Sequence, residues 1–397
     1  MTDKYNIRTV RAGILNLISQ RERGFLLNAH YKTNVTNIKV NQLPKYFDRP
    51  TVCTDVDDGF SFNFLRSGTR GDLIGVGEYG NTGSPNSVCV FQYTTPHNSV
   101  GQDASIVTLP FINRVSAYFS FADLSVSDTA DFSYRDPKLL LVVGKGLARE
   151  GVAVLTHYDC DYGLQKHTWR VDGKIFCCAS EIHSENFVLG CRRGFYVCKS
   201  LKLSKKHHLQ DYVLAAEFNN DGNLFLISDL ANGIQLCDMR ENIERSLRNS
   251  LPFIKEPVLS DPSFCATRMK LLSDQVTLIV SDKTGHISKV DLRMRKPVFQ
   301  YSEHRSTHYF RPLNVDEYLD LLCAVGDDDY CRIWSLSSGK LHWDHKIPPT
   351  KYGGKPPHAC IVNSERRWFI AVVQNETLTP LFPGEAAMVK FRFAYPG

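Results

Sequence analysis

Seven times along this chain an apolar run of strand length ends in a turn containing Gly or Asp, and a second strand-like run follows. The first runs are Leu73–Gly77, Leu139–Gly144, Phe187–Gly190, Leu224–Ser228, Thr277–Ser281, Leu321–Gly326 and Trp368–Val373; their followers are Val88–Tyr93, Val152–His157, Phe195–Ser200, Ile234–Arg240, His286–Arg293, Cys331–Leu336 and Ala387–Phe393. Equivalent positions in the followers (Phe91, Leu155, Cys198, Cys237, Val290, Trp334 and Phe391) recur about every 50 residues, the spacing of propeller repeats. A third apolar stretch precedes each pair, at Phe60–Ser67, Val115–Phe121, Ile175–Ser180, Tyr212–Phe218, Phe264–Leu271, His308–Leu313 and His358–Val362, and Leu341–His345 reads as an outer fourth strand. The pattern predicts an all-β chain, a seven-bladed WD-repeat β-propeller whose radial sheets expose only short edges.

The seventh repeat ends within a few residues of Gly397, so its outer strand is expected from near the N-terminus. Asn34–Leu43 has the β-branched alternation for that closure. The expected organisation is a basic arm over 1–33 and a propeller over 34–397.

Charge separates the two. Residues 1–50 carry nine basic and three acidic side chains, a net of +6, while the whole chain is +5, leaving −1 for the rest. A near-neutral body with a basic arm predicts an acidic partner for the arm, protein first and nucleic acid second. Within the arm, Ile7, Val10, Ile14, Leu17 and Ile18 follow the spacing of one helical face, with Arg8 and Arg11 off it and Gly24 as a stop. Such a helix either packs on its own propeller or enters a groove of another protein.

Several function classes are disfavoured. No run approaches the apolar length of a membrane span, and the N-terminus lacks a signal-peptide core; a soluble nuclear or cytoplasmic protein is expected. Twelve cysteines without any Cys-x-x-Cys pair suit small buried hydrophobes in a reducing compartment rather than a zinc site. Gly75-Val-Gly77-Glu-Tyr-Gly80 leads to a turn-rich loop, not to the helix that a dinucleotide site needs. Asp327, Asp328 and Asp329 read as turn caps, and His207 and His208 as a solvated loop. No nucleophile–base pair is legible, so neither an enzyme, a small-molecule substrate nor a cofactor is expected.

Two successive repeats close their third strand with the same charged ending, Cys237-Asp238-Met239-Arg240 and Val290-Asp291-Leu292-Arg293. In a four-stranded blade this turn lies on the edge opposite the loops joining blades. The pair could brace its own blade or present two rigid planar donors for docking. On the other edge, Arg192, Arg193, Lys283, Asp328 and Tyr330 in the turns between second and third strands are the candidates for holding a protein substrate.

From about Ile234 to Leu336 the order of elements, carried by IQLCDMR, VSDKTGHISKVDLRMRKPVFQYSEH and LLCAVGDDDYCRIWSLSSGKL, resembles the WD-repeat substrate receptors of cullin-four RING ubiquitin ligases, of the DDB-and-cullin-associated factor four type. Leu17–Gly24 resembles that family's N-terminal region more weakly. The resemblance implies a non-catalytic receptor gripped by a DDB-type propeller adaptor. Asp238, Arg240, Asp291 and Arg293 would match its docking box, although Cys237 and Val290 stand where that box has Trp. The helix carrying Arg8, Arg11, Ile14, Leu17 and Ile18 would enter the adaptor's cleft. A WD-repeat scaffold of another nuclear complex, touching nucleic acid through the arm, is the competing expectation.

Overall fold

The computed structural model describes the strands at 51–52, 60–67, 73–79, 87–93, 106–108, 120–128 and 138–145, then residues 150–157, 166–181, 184–241, 243, 265–306, 313–347, 357–363, 368–376 and 388–394. Among them there are seven antiparallel sheets. Each expected first run and follower is a paired hairpin, as in Leu139↔His157, Leu224↔Asp238 and Leu321↔Ser335. Runs such as Leu321–Val325 are buried throughout, so the turn joining each pair, rather than an apolar–polar alternation, fixes the register.

The first sheet runs Phe60–Ser67, Leu73–Tyr79, Ser87–Tyr93, Ile106–Thr108, and the second Ser120–Asp128, Lys138–Lys145, Gly151–His157, Lys166–Val171. The third is Ile175–Ser180, Phe187–Cys191, Gly194–Lys199, Lys202–Leu203, with His207–His208 also on Gly194–Lys199; the fourth has three strands, Val213–Phe218, Leu224–Asp229, Gly233–Asp238. The fifth is Ala266–Leu271, Thr277–Asp282, Ile287–Asp291, Lys296–Tyr301, and the sixth Asn314–Asp316, Leu321–Val325, Tyr330–Ser335, Leu341–Lys346. The seventh joins His358–Asn363, Trp368–Glu376 and Met388–Ala394 to Thr51–Val52 from the other end of the chain.

That last pairing, Thr51↔Phe391 and Val52↔Lys390, supplies the expected N-terminal closing strand from another segment. Asn34–Leu43 lies outside the described residues, as does the arm over 1–33 with Arg8, Arg11, Ile14, Leu17 and Ile18. Two further expectations shift. In the second sheet the expected Val115–Phe121 lies mostly outside the described residues, and the first strand there, Ser120–Asp128, runs on past Phe121 through a register irregularity between Phe121 and Asp123; a bulge of this kind breaks the strict alternation that a sequence reading follows. His308–Leu313 falls almost wholly outside the described residues, and the innermost strand of the sixth sheet is Asn314–Asp316.

His207 and His208 form a short strand on Phe195 and Gly194 instead of a solvated loop, and the His207 ring lies 5.2 Å from that of Phe195. The apolar face of the ring explains why the segment folds back.

Consecutive sheets pack face to face through separate clusters. Leu141, Leu155, Phe187 and Cys198 join the second and third; Val188, Phe195, Phe225 and Cys237 the third and fourth; Leu226, Ile234, Leu278 and Val290 the fourth and fifth; Ile279, Tyr301, Leu322 and Trp334 the fifth and sixth; Cys323, Ile333, Ala359 and Ile361 the sixth and seventh. Among the described residues nine cysteines are buried and unbridged in this core. Burial pushes the Cys237 thiol up to about 12, so it stays protonated and behaves as a small hydrophobe.

Between the second and third sheets the chain reverses through Gly173 at φ +87, where an added Cβ would meet nothing within 4 Å. Gly173→Ala therefore tests backbone conformation without a clash: a loss of about 1 kcal/mol is expected from the left-handed dihedral, read as a small drop in the thermal midpoint.

Candidate protein-docking site

In each meander the turns between strands one and two, and between three and four, share one edge. The turns between strands two and three share the opposite edge with the connections between sheets. Backbone hydrogen bonds mark both. On the first edge Met239 N donates to Asn223 O (2.7 Å) and Leu292 N to Val276 O (2.8 Å); on the second Arg193 N donates to Asp211 O (3.0 Å) and Asp327 N to Arg305 O (2.8 Å).

The two Asp-x-Arg endings sit on the first edge, in neighbouring sheets. Asp238 Oδ1 accepts from the Arg240 backbone N (2.8 Å) and Nε (3.0 Å), and Oδ2 accepts from Nη2 (2.7 Å). Asp291 repeats the arrangement with Arg293 N (2.8 Å), Nε (3.2 Å) and Nη2 (2.7 Å). The carboxylate closes a tight turn on the backbone and clamps the guanidinium of the same turn, which only an Asp two residues before an Arg can do with so short a reach. Both arginine side chains remain outward, 66% and 70% exposed, while the aspartate side chains are 18% and 13% exposed. Bonding to the Arg293 side chain holds the Asp291 carboxyl down to about 2, and Arg240 lowers that of Asp238 in the same way. Each Arg spends Nε and Nη2 on its own Asp, and among the described residues Nη1 makes no hydrogen bond. A pre-oriented planar donor with one free edge suits a carboxylate or carbonyl on a partner.

Beside this edge a cleft of about 310 Å³ opens between the fourth and fifth sheets. Leu224, Leu236, Leu271, Val276 and Leu292 line it, with Arg293 at its border. Leu292 is the middle residue of its own Asp-x-Arg, so one turn presents both the guanidinium and a wall of the apolar cleft. Sequence reasoning missed the cleft because its walls come from two sheets. The signal was Leu in the middle of the second ending.

The five candidates on the other edge separate. Arg192 and Arg193 are exposed in the turn after Phe187–Cys191. Lys283 is half-buried, its backbone N bonded to Cys265 O (3.1 Å). Asp328 is committed inward: its carboxylate holds the buried Arg332 guanidinium and accepts from Tyr330 N (3.2 Å). The Tyr330 ring faces the same guanidinium at 4.9 Å. The Asp triplet is thus a turn built around an internal ion pair. Among the described residues no group of His, Cys, Asp and Glu is placed to hold a metal ion, and no helix is long and apolar enough to cross a membrane.

Successive antiparallel sheets packed face to face, with paired charged turns along one edge, define a β-propeller. Residues 213–355 match the model of the DDB1- and CUL4-associated factor 4 beta-propeller domain. The human DDB1- and CUL4-associated factor 4-like protein 2 is 43% identical over 360 residues, covering 84% of each chain. The human and bovine DDB1- and CUL4-associated factor 4 align over 75 residues at 43% and 40% identity, which is 19% of this chain and 15% of theirs. A crystal structure of Chaetomium thermophilum Raptor superposes at a TM-score of 0.56 over 85% of this chain and 30% of that one, at 11% identity, a likeness of fold alone. The chain belongs to the DDB1- and CUL4-associated factor 4 family.

Proposed function

We propose that this protein is a substrate-receptor subunit of a cullin-RING ubiquitin ligase, a ring of seven blades that docks on a DDB1-type propeller adaptor and presents a second protein for modification. The observation carrying the proposal is the duplicated Asp-x-Arg turn, two outward guanidiniums held by their own carboxylates on one edge. The relatives support the choice of partner, since their names record association with DDB1 and CUL4. In this reading Asp238 and Asp291 position Arg240 and Arg293, the cleft walled by Leu292 takes an apolar side chain of the adaptor, and the arm over 1–33 adds a helix through Ile14, Leu17 and Ile18 flanked by Arg8 and Arg11. Arg192 and Arg193 stay available to a substrate on the far edge.

Arg240→Ala with Arg293→Ala is expected to weaken adaptor binding at least about tenfold, the effect of removing interface anchors, measured by interferometry with purified adaptor. The thermal midpoint should hold, because exposed pairs contribute little to stability. Full adaptor affinity in the double variant would remove this edge from the site. Binding to nucleic acid that vanishes on deleting residues 1–33, with no adaptor binding at all, would favour the scaffold reading.

A further inference from the structure

The edge facing away from the Asp-x-Arg turns carries cations that no carboxylate pairs with among the described residues. On the third sheet these are Lys174 before the first strand, Arg192 and Arg193 in the turn after the second, and Lys206 in the segment leading to the fourth sheet. Backbone bonds bring the pieces together: Arg193 N reaches Asp211 O (3.0 Å) and Leu209 N reaches Arg193 O (3.3 Å), while Lys206 Nζ points to the carbonyl of Asp172 (3.5 Å). Among the described residues none of the four pairs with a carboxylate. Elsewhere arginines are paired closely, as in Arg170–Glu150, Arg240–Asp238, Arg293–Asp291 and Arg332–Asp328. The acids nearby are Asp172 and Asp211, and Asp211 spends Oδ1 on the Tyr212 backbone N (2.8 Å).

Aromatic rings hold these cations in place. Lys174 Nζ lies 5.1 Å from the Phe176 ring centroid, the Arg192 guanidinium carbon 5.6 Å from that of Tyr212, and Lys206 Nζ 6.0 Å from that of Tyr196. Phe176 and Tyr212 meet edge to face at 5.2 Å, one from the third sheet and one from the approach to the fourth, so they join the patch across the seam. A guanidinium laid on a ring keeps its in-plane donors free and has lost much of its rotamer freedom before anything binds.

We infer that the patch of Lys174, Arg192, Arg193 and Lys206 over Phe176 and Tyr212 is a docking site for a carboxylate-rich peptide segment of a protein partner. In-plane donors of Arg192 match a carboxylate bidentately, and Phe176 and Tyr212 each already carry a cation over the ring, which leaves less ring surface for stacking a nucleic-acid base. The near-neutral body, −1 outside residues 1–50, also lacks the broad positive field that a polyanion would use. As a substrate-recognition site this rests on the receptor reading, but the binding itself does not.

The test uses the full chain and a fluorescein-labelled glutamate–glycine repeat peptide in fluorescence anisotropy at low salt. Arg192→Glu and Lys174→Glu should each weaken binding at least about tenfold, Arg192→Ala somewhat less, and Lys340→Glu on the other edge not at all. Circular dichroism melts of the same samples show whether each variant is folded, with Arg192→Ala as the milder change. Equal weakening by Lys340→Glu, or unchanged binding in Arg192→Ala and Lys174→Glu, overturns the site. A single-stranded oligonucleotide of matched charge that binds more tightly and loses affinity in Arg192→Ala overturns the peptide in favour of nucleic acid. Adaptor binding is measured in parallel: if the unmodified chain binds the peptide but no adaptor, the receptor reading fails and this site stands.

Discussion

Replacing Trp334 by Ala is expected to cost about 3–5 kcal/mol, the range for emptying a fully buried aromatic site. Trp334 is wholly buried between the fifth and sixth sheets among Leu272, Ile279, Ile287 and Leu322. Tyr301 and His304 meet it edge to face at 6.1 and 5.9 Å, and its Nε1 donates to Ser302 O at 3.1 Å. That bond reaches from the third strand of one sheet to the chain leaving its neighbour, so the substitution opens a cavity and leaves a carbonyl without its donor. Against a total of about 5–15 kcal/mol for a folded protein, this is a large share. Trp334→Phe should recover most of the packing and none of the hydrogen bond. Urea midpoints of the three proteins decide it, and a loss below about 1 kcal/mol for the Ala variant would show that this seam does not carry the stability assigned to it.

Asp328→Ala should come close in severity, at about 3 kcal/mol. Its side chain is 32% exposed, but the Arg332 side chain it holds is only 7% exposed, so removing the acid strands a guanidinium in the core. Arg332→Met alone removes the charge and should cost less, and Arg332→Met combined with Asp328→Ala should be more stable than Asp328→Ala by itself. The pH dependence has a definite sign. Burial alone would raise the Asp328 carboxyl, but bonding to Arg332 and to the Tyr330 N–H outweighs it and lowers the value. A carboxyl depressed in the folded state contributes stability above its unfolded value and loses it as pH falls through the folded one. The difference between the parent chain and Asp328→Ala is therefore expected to be full near neutrality and to shrink in acid. A gap that widens as pH falls would refute the pairing. Asp328 belongs to the fold rather than to a binding surface.

Most strands could be read from residues alone, because a short apolar run bounded by turn residues, such as Leu139–Gly144 or Leu224–Ser228, reports a buried strand locally. The Asp-x-Arg endings were legible for the same reason: carboxylate and guanidinium are two residues apart, so their contact needs nothing from the rest of the chain. The first strand of the second sheet was read as ending at Phe121, where a bulge sits, and it continues to Asp128. The cleft beside Arg293, the inward turn of Asp328 and the cations laid over Phe176 and Tyr212 were not legible, since each depends on chain that is distant in sequence or on a side-chain direction that spacing does not encode.

Short apolar runs and turn chemistry thus dictate seven strand pairs and two clamped arginines, because both arise within a few residues. Packing between sheets settles which charged side chains face solvent with a free edge and which are consumed inside. Arg192 and Arg332 are both arginines at the same end of their meanders, the third and the sixth, yet one lies over Tyr212 at the surface and the other is buried against Asp328. What separates them is the neighbour that the fold brings alongside, and the cost of leaving a buried charge without a partner enforces the choice.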